Sequence, residues 1–379
     1  MKKTLSSILI VTISTVVSLV FAEVACHYIL NPIDYLTPDR ESDAVLRYKI
    51  LPGSGGHDEW GFRNKEVPEK VSVVVIGDSQ TYGYNATLDF SYPAQLDKLL
   101  NKTVYNLSLG GYGPVQYDYL LSNFAIKLKP EYVIAGLYFG NDIADAYNTA
   151  YTLDHWKNLR SANLPDSKDS SETSMDDELI KKKKKGIVAD IRHWLAGNSI
   201  IYQILTKVVF KNLGSIGSEN NADTDNAVPF KNEKLKIEKI LTPQARFRTV
   251  DTTRTKIKEG LRITLDRLNS MTATCKSNNI KFIVLYIPTA EYVLSDHFKG
   301  SVNEQSLDNL QKLVDAENYM RAVISENLAL SQTPVIDGAS ALKSKLGITS
   351  GIYLPGPDGH PTAAGYGILS EAIQQKLLK

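Results

Sequence analysis

Charge of a prevailing sign is missing from this 379-residue chain: 43 lysines and arginines balance 42 aspartates and glutamates. Such a surface has no strong field to collect a polyanion, so nothing points to a nucleic-acid partner. Cysteine is scarce. Cys26 and Cys275 are the only two, which excludes a disulfide framework, and no Cys/His cluster has zinc spacing, so neither a metal nor a cofactor is expected. Histidine is sparse too, at six residues, which shortens any search for a general base. No internal repeat at a solenoid period is visible.

What is present begins at the N-terminus. Lys2 and Lys3 precede "TLSSILIVTISTVVSLVFA", which has no charge before Glu23. Residues 1–30 therefore read as a membrane anchor or an export signal. Ala22 is an acceptable cleavage position, but the apolar character resumes through "VACHYIL", long enough to span a bilayer. A lipoprotein is not expected, because Glu23 stands three residues before Cys26 where an aliphatic residue is needed. The flanking lysines favour an N-in orientation, with the body outside the cytoplasmic membrane or secreted.

Residues 31–70 are rich in proline, glycine and charge and read as a linker into the domain, with "DEWGFRN" (58–64) ordered because Trp60 and Phe62 want burial. From 71 the chain alternates. "VSVVVI" is a strand buried on both faces, "SYPAQLDKLL" a helix with Leu96, Leu99 and Leu100 on one side, "KTVYNLSL" a strand, "VQYDYLLSNFAIKL" a helix and "EYVIAGLYFG" a third strand. This β-α-β-α-β order predicts an α/β domain with a parallel sheet of about five strands over 71–379. Regularity lapses at 151–249, read as a helical and loop-like insertion: a packing insert, a lid or a membrane-surface helix. Within it an acidic block runs into Lys181–Lys185. Strands "IKFIVLYIP" and "TPVIDGA", with three helices, complete the pattern.

In a parallel sheet the C-terminal strand ends share one edge, where sites form. The first strand ends in Gly77-Asp78-Ser79, the second in Gly110-Gly111, the third in Gly140-Asn141-Asp142. Acyl transfer needs a hydroxyl, a base, a group that orients the base, and oxyanion donors. Ser79 supplies the hydroxyl and a backbone N–H, Gly111 an N–H open to close approach, Asn141 an amide. Asp78 is expected to bond backbone at the strand end and Asp142 to cap a helix. His360 lies in "YLPGPDGHPTAAGY", a loop after the fifth strand, with Asp358 two residues before it and Thr362 as a helix cap. The other histidines lie in the anchor, the linker, the insertion or beside Asp296. Tyr82, Tyr84 and Tyr112 lie near this edge, where their rings suit either a sugar or packing. Three glycosylation sequons start at Asn85, Asn101 and Asn106, the last at a strand end where burial is expected.

"IGDSQTYG", "NLSLGGYG", "FGND" and "DGHPTAAGY" resemble, in order, the four blocks of the SGNH/GDSL hydrolase superfamily, over about 58–150 and 250–379. The resemblance implies a three-layer α/β/α flavodoxin-like fold, with Ser79 as nucleophile, Asp358 and His360 completing a triad, and Ser79, Gly111 and Asn141 forming the oxyanion hole. Two departures stand out: Asp358 and His360 are separated by one residue where two are frequent, and Ser108 replaces a frequent glycine. The expected activity is that of a serine acyl-ester hydrolase or O-acyltransferase outside the cytoplasm, acting on an acylated small molecule or glycan, with acetylated cell-envelope carbohydrate preferred. The alternative is a non-catalytic glycan-binding or assembly protein that keeps the fold.

Overall fold

A computed structural model describes residues 2–164, 186–206, 227–299 and 302–378. The acidic and lysine-rich block at 166–185 and the polar stretch at 214–226 lie outside the described residues.

The chain opens with helix α1 (Lys2–Ile29) and a hairpin of β1 (Arg40–Asp43) and β2 (Arg47–Ile50). There follow β3 (Val73–Gly77), α2 (Ser79–Tyr82), α3 (Tyr92–Leu100), β4 (Val104–Ser108), α4 (Pro114–Asn123), β5 (Tyr132–Tyr138) and α5 (Asp142–Thr152). The next stretch holds α6 (Ile187–Asn198), α7 (Ile200–Leu205), a second hairpin of β6 (Val228–Asn232) and β7 (Ile237–Leu241), and α8 (Pro243–Val250). Last come α9 (Thr255–Ser277), β8 (Lys281–Ile287), α10 (Ala290–Leu294), α11 (Glu304–Leu330), β9 (Val335–Asp337), α12 (Gly338–Ser344) and α13 (Ala363–Leu377).

Strands β4, β3, β5, β8 and β9, in that spatial order, form a five-stranded parallel sheet. Consecutive β-branched residues of β3 serve opposite faces. Val73 and Val75 pack with Tyr92, Leu96, Tyr366 and Leu369 of α3 and α13, whereas Val74 and Ile76 pack with Leu120, Leu121, Leu261 and Leu268 of α4 and α9. Both faces are therefore covered, which is why the strand reads as a continuous apolar run. The result is the three-layer α/β/α architecture. On α3 the inward stripe is Tyr92, Leu96 and Leu100, four residues apart; Leu99 is exposed rather than sharing their side. The chain steps from β3 out to β4 and then back across β3 to β5. That reversal makes the C-terminal ends of β3 and β5 a topological switch point, where a crevice opens.

The expectation of a linker at 31–70 is corrected. Leu46, Tyr48 and Ile50 of the first hairpin and Phe62 are buried in the main core. The side chain of Asn64 accepts from the N–H of Asn106 at 2.9 Å and donates to its carbonyl at 3.0 Å, satisfying backbone on the outer side of edge strand β4. The Asp58 carboxylate accepts from the N–H groups of Trp60 and Phe62 and from Asn64 and Tyr105. Polar side chains bonding backbone hold a segment whose composition alone reads as loop.

The insertion read at 151–249 is likewise not only helix and loop. Its β6–β7 hairpin alternates buried and exposed residues. Val228, Phe230, Ile237 and Leu241 pack on Leu294, Phe298 and Leu310.

Candidate active site

Ser79 begins α2 immediately after β3. Asp78 caps that turn, its carboxylate accepting from the Gln80 N–H at 2.9 Å. Asp78 is fully buried, and burial pushes its carboxyl up to about 6 against that bond. The Ser79 hydroxyl lies 3.3 Å from Asp78 Oδ2 and 2.8 Å from His360 Nε2.

His360 reaches Ser79 from a loop nearly three hundred residues further along the chain. Its Nδ1 is 2.5 Å from Asp358 Oδ1, and its backbone N–H donates to the same oxygen at 2.9 Å. With Nδ1–H donated to the carboxylate, Nε2 presents a lone pair to the serine hydroxyl. Asp358 feels two opposed influences. Burial raises its pKa, but the His360 bonds and charge and an Asn85 amide bond outweigh burial and hold the carboxyl below the usual range. The one-residue spacing of Asp358 and His360 thus closes a tight turn at Gly359. A side chain there would meet Arg246 Nη2 and Tyr138 Oη within about 3 Å. Thr362 caps α13 by accepting from the Ala364 N–H.

Strand register places the remaining candidates. Gly77 pairs with Ser108 on one side and Gly136 on the other, so the turns after β4 and β5 flank Ser79. Gly111 has φ of +73° in the first turn, a left-handed conformation that favours glycine. Asn141 is the residue at the cap of α5. Its amide donates to Asp145 Oδ2 at 2.6 Å, which uses one of its two N–H groups, and its buried Oδ1 has no hydrogen-bond partner among the described residues. Burial pushes Asp145 up to about 7. Asp142, expected as a cap, instead turns back to accept from the Tyr138 N–H at 2.8 Å and the Tyr117 hydroxyl at 3.1 Å. Burial and the nearby Asp78 push its carboxyl well up.

Of the three tyrosines, Tyr82 and Tyr112 are buried in the core, whereas Tyr84 stands edge-on to His360 at 5.3 Å between ring centroids. Asn106 is buried, as its place at a strand end requires, and its side chain bonds Thr81 O and Ser108.

Several residues around the site had no signal as site residues. Asn85 donates to Asp358 Oδ2 at 3.0 Å. Arg63 donates to the carbonyls of Tyr82, Gly83 and Ala86, and so staples the turn that follows Ser79. His57, pushed down to about 4 by burial, meets the Tyr82 hydroxyl at 2.8 Å. The Tyr48 hydroxyl donates to the Gly110 carbonyl beside Gly111, and the Tyr112 hydroxyl donates back to Tyr48 O at 2.7 Å. Lys239 of β7, almost wholly buried, donates to the carbonyls of Leu354, Gly356 and Asp358, while the Ile240 N–H also bonds Gly356. Neither the strand at 237–241 nor a lysine on its inward face was legible within a stretch read as helix and loop.

No family model matches the chain, and no curated protein matches it either. Among solved structures it is similar to a putative G-D-S-L lipolytic protein from Desulfitobacterium hafniense, at 14% identity over 80% of this chain and 98% of that one, with a TM-score of 0.37. It is similar to a GDSL-like lipase from Bacteroides thetaiotaomicron at 13% identity, covering 82% and 92%, with a TM-score of 0.37. It is also similar to an acetylxylan esterase from Geobacillus stearothermophilus at 15% identity, covering 81% and 94%, with a TM-score of 0.39.

Proposed function

We propose that this protein is a serine acyl-ester hydrolase or O-acyltransferase of the SGNH type, and that Ser79, His360 and Asp358 are its catalytic triad. The observation that carries the reading is the continuous chain of hydrogen bonds from Ser79 Oγ through both imidazole nitrogens to the Asp358 carboxylate. His360 Nε2 takes the hydroxyl proton as Ser79 Oγ bonds to the ester carbonyl carbon. The oxyanion is held by the N–H groups of Ser79 and Gly111 and by the amide of Asn141. Collapse breaks the bond to the leaving oxygen, which takes the proton from His360, and leaves an acyl-Ser79. Water or a substrate hydroxyl then gives its proton to the same nitrogen and bonds to the acyl carbon, the bond to Ser79 Oγ breaks, and His360 returns the proton to that oxygen.

The apolar helix α1 supports attachment to a membrane. Within Thr4–Ile29 an 18-residue stretch reaches a mean hydropathy of 2.3, and none of that stretch is buried in the protein. With Lys2 and Lys3 at its start, we place the catalytic domain on the extracytoplasmic side. Acetylated carbohydrate of the cell envelope is the substrate we favour, on the sequence resemblance.

Turnover of a small acetyl ester tests the proposal. Ser79→Ala is expected to lower kcat/KM by at least ~10⁴-fold; a variant that keeps the parent rate overturns the assignment. Adding a glycan hydroxyl acceptor and measuring free acetate against acetylated glycan separates hydrolysis from transfer.

A further inference from the structure

Helix α6 leaves an apolar stripe uncovered by the body of the protein. An amphipathic helix on a domain surface turns its apolar stripe to the core. In α6, Ile187, Val188, Ile191 and Trp194 are each more than half exposed. At 100° per residue, positions 187, 191 and 194 fall on one narrow stripe, with 188 beside it. The opposite face holds the helix to the body. His193 Nε2 meets Asp39 Oδ1 at 2.7 Å, the Thr37 N–H donates to Ala196 O at 2.9 Å, and Gly197 approaches the Thr37 carbonyl. The half-buried residues turned to the body are Ala189, Leu195, Ala196 and Gly197, and the stripe of Ile187, Ile191 and Trp194 is left outward.

The attachment points say what lies outside. Thr37 and Asp39 belong to the segment that leaves α1. The junction of α6 and α7 is bound to α1 itself. Glu23 accepts from Ser199 Oγ at 2.7 Å, from the Ile200 N–H at 2.7 Å and from the Ile201 N–H at 3.2 Å. About 20 helical residues cross the hydrocarbon of a bilayer. Counted from Thr4, that length ends at Glu23. The C-terminal end of α6 is therefore fixed at the level where α1 passes from acyl chains into headgroups. Tryptophan is the side chain that suits this level, with an apolar ring and a polar N–H. Asp190 and Arg192 flank the stripe and are exposed.

We propose that α6 is an interfacial membrane helix that lays Ile187, Val188, Ile191 and Trp194 into the outer headgroup and acyl boundary beside α1. This rests on reading α1 as an uncleaved anchor. It gives part of the inserted region a role: a second attachment that fixes how the catalytic domain is turned relative to the bilayer.

The sequence holds three tryptophans, Trp60, Trp156 and Trp194, and none lies in α1. Trp60 packs on Tyr105 and Phe124, and the Trp156 N–H bonds Val45 O within the body. Trp194 is thus a built-in reporter. The full chain is reconstituted in phosphatidylcholine vesicles with and without brominated acyl chains, and emission is compared. The expected result is a loss of emission with brominated lipid that disappears in Trp194→Phe and shrinks in Ile191→Glu. Protein that stays with the vesicles but is not quenched, or is quenched equally in Trp194→Phe, overturns the proposal and leaves the anchor standing. Such a result assigns the stripe to a protein partner instead. Protein released from the vesicles overturns the anchor and this inference together.

Discussion

The two sides of the site are held in different ways. Ser79 and Asn141 sit at most five residues beyond their own paired strand residues, Gly77 and Gly136, and neighbours in sequence fix them: Asp78 caps the nucleophile turn and Asp145 bonds the Asn141 amide. The 354–360 loop is closed locally only by the Asp358 and His360 bonds and leans otherwise on distant segments. Asn85, Lys239, the Ile240 N–H and Arg246 reach it from three other segments. One side inherits its position from the sheet; the other is assembled from afar. The difference teaches where the site is rigid by topology and where it depends on the inserted hairpin.

The largest expected effect breaks the far side outright. His360→Ala removes the base, and kcat/KM for an acetyl ester should fall about 10⁴-fold or more, measured with the protein's fold checked by circular dichroism. On the strand side, Asn141→Ala removes one oxyanion donor and leaves the nucleophile in place. Its kcat should drop about 10²- to 10³-fold with little change in KM; a KM effect alone would mean that the amide binds substrate without serving the transition state.

Lys239→Met sharpens the comparison most, because Lys239 touches no reacting atom. Loosening the loop should lower kcat about 10- to 100-fold, the cost of roughly 1 Å of misplacement, while a change at the strand side is not expected. A pH profile separates this from simple destabilisation. Burial holds the Lys239 ammonium down to about 8, against Glu291 and Asp358, which raise it, and alongside Arg246, which lowers it. An ammonium has three N–H donors and an amine two, so the clamp weakens and kcat falls as pH rises through about 8. Lys239→Arg, charged throughout, should not show that fall. Stability moves the other way. An unfolded lysine keeps its proton to ~10.4, so between about 8 and ~10 the unfolded chain binds more protons. The parent then gains stability relative to Lys239→Arg as pH climbs. Parallel loss of activity and stability across that window would contradict the clamp.

The same contrast explains what was legible in the sequence. Val73–Ile76 declares a doubly buried strand because each residue serves one face or the other, and Ser79 follows from where that strand stops. The hairpin of 40–50 was not legible as part of the domain, and of 58–64 only the burial of its aromatic residues was, not its bonds to strand β4. Tyr48 is fixed by carbonyl and hydroxyl bonds to Gly110 and Tyr112, and Asn64 by backbone of Asn106, and none of these pairings leaves a periodic trace. Lys239 was hidden for the same reason: a lysine in an alternating strand reads as solvated unless the carbonyls that receive it are known. In α6 the apolar spacing was visible, but its direction was not, since spacing does not say which face meets the body.

The most direct test of the account is covalent labelling of the folded, full-length protein by a fluorophosphonate, with the modified peptide identified by mass spectrometry. The account predicts one adduct on the peptide carrying Ser79, absent in Ser79→Ala and formed far more slowly in His360→Ala. No adduct on the parent protein, or equal labelling of Ser79→Ala, would contradict it.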